Sequence, residues 1–152
     1  MSLTDAQVAE LGDALWRAEQ THEYIPPLTD TYPDLTPEDA YRVQEQVLEK
    51  KLSSGRKIVG KKVGLTSAAM QQMLGIDTPD YGMIFDNMVL ADGAEVSIDS
   101  LQQPRVEPEI TFVLKKTLQG PGVTIEDVLD ATDYVVASLE VVGSRVADWK
   151  IK

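Results

Sequence analysis

Three glutamates carry the sharpest chemical suggestion in the chain. From Pro104 to Lys116 apolar and polar residues alternate, strictly so as far as Phe112, and a period of two puts Val106, Pro108, Ile110, Phe112 and Leu114 on one face of a strand. Glu107 and Glu109 then share the other face, about 7 Å apart along the strand. Such a pair also suits the wet face of a half-buried strand, where charged residues are ordinarily found. Glu140 is a different case, because it interrupts Tyr134-Val135-Val136-Ala137-Ser138-Leu139 and Val141-Val142. That run is apolar on both faces, as expected of a strand covered on both sides, so the Glu140 carboxylate is expected to be buried. Burying an unpaired charge is costly enough that the group must be protonated, paired with a cation such as Arg105 or Arg145, or bound to a metal. Taken together, Glu107, Glu109 and Glu140 can offer three oxygen ligands to one hard divalent cation, with octahedral positions left for water or a chelating substrate.

Lysines form a second cluster. Lys57, Lys61 and Lys62 bracket Gly60 and Gly64, and the glycines let backbone approach a ligand closely. A lysine beside a cation and low-dielectric walls has its pKa lowered toward neutrality and can move protons. The same run reads equally well as a solvated face, and it lacks the glycine spacing and the Lys-Ser/Thr pair of a phosphate loop.

Composition removes most competing chemistries. The chain has no cysteine and one histidine, His22, which rules out disulfides, thiolate zinc sites and cysteine nucleophiles and leaves little room for histidine-based triads or metal sites. His22 lies in a polar stretch before prolines and reads as a surface residue. Carboxylate, lysine, tyrosine and hydroxyl chemistry remain. Fourteen Lys and Arg against 25 Asp and Glu give a formal net charge of −11, which repels phosphate backbones and anionic headgroups, so no nucleic-acid partner and no membrane is expected. No apolar run approaches the roughly 18 residues of a membrane span, and no signal peptide is recognisable, so the expected location is cytoplasmic.

The elements that must position these residues can be read in order. Thr4-Asp5-Ala6-Gln7 is a capping box, followed by Val8, Leu11, Leu15 and Ala18 at helical spacing. Prolines 26, 27 and 33 forbid regular structure between Thr21 and Leu35, and Thr36-Pro37-Glu38-Asp39 opens a second helix that ends at Ser53-Ser54-Gly55. Lys57–Val63 reads as a strand, and a brief helix capped by Thr66 or Ser67 runs to Leu74 and stops at Gly75. Residues 83–85, 88–90 and 95–98 read as a β meander with an Asp92-Gly93 turn. The Pro104–Lys116 strand, a helix over Thr124–Ala131 and a strand over Asp133–Val142 follow. The expected fold class is α+β, with a helical N-terminal subdomain over residues 1–55 and the first part of a β-rich catalytic core over residues 56–152, in a chain of 152 residues.

Several strings occur together in this order: Ile25-Pro26-Pro27-Leu28, Gly60-Lys61-Lys62-Val63-Gly64-Leu65-Thr66-Ser67, Pro79-Asp80-Tyr81-Gly82, Pro104-Arg105-Val106-Glu107-Pro108-Glu109-Ile110 and Leu139-Glu140-Val141-Val142-Gly143-Ser144-Arg145. The combination resembles the 2-oxopent-4-enoate (2-hydroxypenta-2,4-dienoate) hydratases of aromatic meta-cleavage catabolism, within the fumarylacetoacetate hydrolase superfamily, and covers the chain from Ile25 to Trp149. The resemblance implies a Mg²⁺ or Mn²⁺ site on Glu107, Glu109 and Glu140, a proton-transferring lysine at Lys62, and an acid/base or water-positioning carboxylate at Asp80. Without it, nothing in the residues prefers Lys62 to Lys61. It further implies a small 2-hydroxydienoate or 2-oxo acid substrate, hydration to 4-hydroxy-2-oxopentanoate, and a homo-oligomer.

The same resemblance implies that family members continue well beyond Lys152 and that the continuation completes the β-rich core, so this chain is expected to be C-terminally truncated. Two alternatives stand beside the hydratase. One is the 2-oxo-3-hexenedioate (4-oxalocrotonate) decarboxylase, which resembles the hydratases in its metal site and acts on a dicarboxylate. The other is a truncated remnant or binding module without turnover. The roles of Lys61, Thr66, Ser67 and Arg145 stay open at this stage.

Overall fold

Thr4 and Thr36 begin the two long helices by the same device. In α1 (Asp5–Thr21), Thr4 Oγ1 accepts from the Gln7 amide at 3.3 Å, and Gln7 Oε1 accepts from the Thr4 amide at 2.9 Å. Donors at the helix start that have no intrahelical partner are thereby satisfied. Thr36 caps α3 (Pro37–Ser53) through the Asp39 amide, with Pro37 at the first helical position. Between them lies α2 (Leu28–Thr31), a single turn. This corrects the expectation that the prolines exclude regular structure there: Pro26 and Pro27 precede the turn rather than interrupt it, and Pro33 follows it, so no intrahelical hydrogen bond is lost.

The computed structural model describes residues 2–151, which group into two compact units, Met1–Ser97 with Arg145–Lys152, and Ile98–Ser144. In the first unit Leu3, Val8 and Leu11 pack on Val43, with Leu15, Leu28, Tyr32 and Leu35 around them. Gly12 brings the helices together, since a Cβ there would lie 2.5 Å from Gln46 Cβ. The start of the chain is fastened to α3 by Asp39, which is fully buried. Its carboxylate accepts from Ser2 Oγ at 2.7 Å, the Leu3 amide at 3.2 Å and Arg42 Nη1 at 2.9 Å. The Ser2 hydrogen bond, with those of Leu3 and Arg42, outweighs burial and lowers its pKa to about 2.

After α3 comes β1 (Ile58–Gly64), then α4 (Ala68–Leu74), capped by Ser67 and closed by Gly75 at φ 69°, then β2 (Asp80–Phe85). β1 and β2 pair antiparallel. The expected meander is not formed. Asp86–Met88 and Ile98–Ser100 are 3₁₀ turns, and residues 89–97 contain no strand. The Asp92-Gly93 turn is present, closed by the Ala94 amide on Ala91 O at 3.1 Å. A turn fixes only its own residues, however, and Val89, Leu90 and Val96 beside it are exposed, without the cross-strand packing that stabilises a ladder.

The second unit holds β3 (Arg105–Leu114), α5 (Ile125–Ala131) and β4 (Thr132–Val142). Thr124 and Asp127 form a capping box at the start of α5. β3 and β4 pair antiparallel from Arg105 opposite Val142 to Leu114 opposite Thr132. The mixture of helix and strand is as expected; among the described residues the strands form two separate two-stranded sheets.

Candidate active site

The register of β3 against β4 decides what the three glutamates can do. Glu107 stands directly opposite Glu140, and Glu109 opposite Ser138, so period two along each strand puts all three glutamates on one face. Each offers one carboxylate oxygen, and these oxygens all lie within 4.8 Å of one another. Glu107 is exposed, while Glu109 and Glu140 are half-buried. Two unit charges at about 4 Å repel by ~1 kcal/mol in water and ~4 kcal/mol in a protein-surface dielectric, and like charges directly opposite weaken a ladder. A hard divalent cation removes that cost. Oxygens on opposite sides of Mg²⁺ or Ca²⁺ stand about 4 to 5 Å apart at their usual bond lengths and adjacent ones stand closer, so three oxygens within 4.8 Å of one another are near enough to share one such ion.

The burial expected of Glu140 is not found. The apolar run predicts cover on both faces of β4, yet Val135 and Leu139 are exposed and Glu140 is half-buried; among the described residues β4 belongs to a two-stranded sheet with β3. Of the two cations expected as alternative partners, Arg145 donates from Nη1 to Glu19 Oε2 at 3.0 Å. Glu19 also pairs with Lys51, whose Nζ stands 5.4 Å from the centroid of the buried Phe85 ring. Arg105 lies on the same face of β3 as Glu107.

Lys62 and Asp80 are brought together within the first unit. Lys62 is opposite Gly82, and Gly64 is opposite Asp80, so Lys62 and Asp80 are diagonal neighbours on one face, ~7 Å apart in standard ladder geometry. Lys61 is opposite Met83 and points to the other face. Lys62 is half-buried and Lys61 exposed. The ladder thus separates two lysines that are equivalent as residues in a string. Asp80 is exposed.

Two residues of α3 that nothing in their local sequence singles out, Tyr41 and Gln44, hold β2 in place. The Tyr41 and Tyr81 rings stack at 4.7 Å with 13° between their planes. The Tyr81 amide donates to Tyr41 Oη at 3.3 Å, and Gln44 Nε2 donates to Tyr81 O at 3.2 Å. Main-chain groups of the residue between Asp80 and Gly82 are therefore satisfied by side chains from a helix. The available signal was the three-residue spacing of Tyr41 and Gln44, which says nothing about their partner. Ser67, left open as a substrate neighbour, caps α4 through the Met70 amide at 3.2 Å. The early Ile25 string meets the chain after β4, its amide donating to Arg145 O at 3.0 Å and its carbonyl accepting from the Ala147 amide at 3.1 Å.

No family model matches the chain. Individual proteins do. A 2-keto-4-pentenoate hydratase of Paraburkholderia xenovorans is 46% identical over 150 residues, which is 99% of this chain and 56% of that protein. A 2-hydroxypent-2,4-dienoate hydratase of Pseudomonas putida is 49% identical over 146 residues, 95% of this chain and 66% of that one. Among solved structures, the 4-oxalocrotonate decarboxylase of Pseudomonas putida G7, complexed with magnesium and adipate, superposes with a TM-score of 0.92 at 39% identity, covering 99% of this chain and 57% of its own. The chain thus spans a little over half the length of most of these proteins.

Proposed function

From the chain's membership in the family of the 2-keto-4-pentenoate hydratases and 4-oxalocrotonate decarboxylases, we propose that it serves as a divalent-metal-dependent hydro-lyase on 2-hydroxypenta-2,4-dienoate. The observation that carries this reading is the face of β3 and β4 on which Glu107, Glu109 and Glu140 bring carboxylate oxygens within 4.8 Å of one another. These three hold Mg²⁺ or Mn²⁺, which supplies Lewis-acid polarisation of the substrate's oxygens when bound.

The reaction needs protons moved at defined atoms. The 2-hydroxyl loses a proton while C5 gains one, giving a conjugated 2-oxo acid; water then adds its hydroxyl at C4 and a proton at C3, to yield 4-hydroxy-2-oxopentanoate. Lys62 and Asp80 are the groups assigned to that traffic. They share one face of the β1–β2 ladder, a lysine and a carboxylate being a suitable donor and acceptor pair. The wider reading is of a cytoplasmic homo-oligomer with the fumarylacetoacetate hydrolase type of core.

A decarboxylase acting on a dicarboxylate is the second reading, favoured by the 0.92 superposition on a decarboxylase complexed with a dicarboxylate. The test is the ultraviolet decay of 2-hydroxypenta-2,4-dienoate with this 152-residue chain, with and without Mg²⁺ or Mn²⁺, with the product identified by mass. Metal-dependent formation of 4-hydroxy-2-oxopentanoate is expected. Release of carbon dioxide from 2-oxo-3-hexenedioate, with no hydration, would move the chain to the decarboxylases. Metal binding by folded protein with neither reaction would leave a binding module.

A further inference from the structure

The β1–β2 ladder contains three glycines, and they differ in what a side chain would meet. At Gly60 an added Cβ would find Ile84 atoms at 3.7 and 3.8 Å, which is ordinary contact. At Gly82 it would stand 3.3 Å from Lys62 Cγ and 3.5 Å from Cδ. At Gly64 it would fall 2.3 Å from Asp80 Oδ1 and 3.1 Å from Asp80 Cγ, and the three nearest atoms all belong to that one side chain. None of these glycines has the positive φ that would itself demand glycine. Space is the reason, and at Gly64 the space is occupied by a carboxylate.

We propose that Gly64 is a positioning residue: its bare Cα is the platform on which the Asp80 carboxylate rests, and it selects the Asp80 rotamer that the reaction uses. This rests on the reading of Asp80 as a proton-moving group. The atom displaced by a methyl at residue 64 is the far end of a short side chain, which escapes by turning about χ1. A methyl therefore disturbs the fold little and moves the carboxylate by an ångström or more, and a misplacement of about 1 Å in a catalytic group can cost ~10²-fold in rate. Gly82 stands in the same relation to the Lys62 stem, with a looser contact. The diagonal Lys62–Asp80 pair is thus flanked, across each rung, by a residue with no side chain.

The experiment compares Gly64→Ala with Gly60→Ala in the full chain. Three-bond couplings read the Asp80 χ1 populations, and turnover of 2-hydroxypenta-2,4-dienoate is followed in parallel. Gly64→Ala is expected to shift the Asp80 rotamer and lower kcat by ~10- to 100-fold with KM within a few-fold, while Gly60→Ala changes neither. In an Asp80→Asn background Gly64→Ala should cost nothing more. Unchanged Asp80 couplings in Gly64→Ala, or an equal loss of rate with and without the Asp80 carboxylate, would overturn the proposal. If Asp80→Asn itself keeps full turnover, the reading of Asp80 as a proton carrier fails, and the couplings still decide whether Gly64 sets its rotamer. Should Gly64→Ala not fold, Gly64→Ala with Asp80→Ala must recover folding; failure to do so overturns the platform.

Discussion

The two antiparallel ribbons are built on different principles. β1–β2 is short, rich in glycine and gripped from outside: Tyr41 and Gln44 of α3 bind the main chain at Tyr81, and Phe85 at the end of β2 is buried beneath the Lys51 ammonium. β3–β4 is longer and rests on its own ladder. One of its faces gathers Glu107, Glu109 and Glu140, and the other presents Val106, Ile110, Phe112, Leu139 and Val141, all exposed. If Lys62 and Asp80 move protons as proposed, they have to be held in one orientation, and the hydrogen bonds from α3 to Tyr81, the residue next to Asp80, constrain the strand that carries the carboxylate. Carboxylates that share a cation need mainly to be on one face at adjacent rungs, which strand pairing alone provides.

The largest effect is expected on the self-organised ribbon. Glu140→Gln removes one of three charges from the proposed cation site, so Mn²⁺ affinity measured by titration calorimetry should fall by at least ~10-fold, and turnover by ~10²-fold or more. Full Mn²⁺ affinity in this variant would show that the trio is not the site. The gripped ribbon should answer differently. Lys62→Ala and Asp80→Asn should each lower kcat by ~10²- to 10⁴-fold with Mn²⁺ affinity unchanged, whereas Lys61→Ala, on the other face, should leave kcat within a few-fold. Equal losses for the two lysines would remove the distinction drawn from the ladder.

Smaller effects concern what holds the first unit together. Asp39 has a folded-state pKa near 2 against about 3.9 in an unfolded chain. Its contribution to stability is therefore complete above roughly pH 4 and is lost as pH falls toward 2. Melting temperatures recorded from pH 5 down to pH 2 should fall across that window, and Asp39→Asn should be less stable at pH 5 and fall less steeply. The grip on β2 is smaller still. Tyr41→Phe removes one hydrogen bond worth about 0.5–1.5 kcal/mol, and Tyr41→Ala also removes a stacked pair worth about 0.5–1.5 kcal/mol beyond its buried area. Denaturant unfolding should rank them in that order, and an unchanged kcat in Tyr41→Ala would show that Asp80 does not need α3.

Much of the fold was legible wherever the signal was local. Thr4, Thr36, Ser67 and Thr124 cap helices as their sequence contexts suggest, Gly75 ends α4, and the alternation from Pro104 placed Glu107 and Glu109 together. The meander failed because a turn at Asp92-Gly93 cannot supply partners for Val89 or Val96, and the burial of Glu140 was overestimated because a run apolar on both faces does not by itself bring covering layers.

By itself the sequence determined the helices that carry a cap of their own, α1, α3, α4 and α5, though not the single turn of α2, and the face on which each strand residue lies, since these depend on groups within a few residues of one another. Only the tertiary structure decided that Glu140 stands opposite Glu107, that Lys62 rather than Lys61 shares a face with Asp80, that Arg145 is paired with Glu19, and that Tyr41 and Gln44 hold Tyr81. Each of these depends on register or docking between segments far apart in the chain, and a shift of one residue in either ladder would send every side chain to the opposite face.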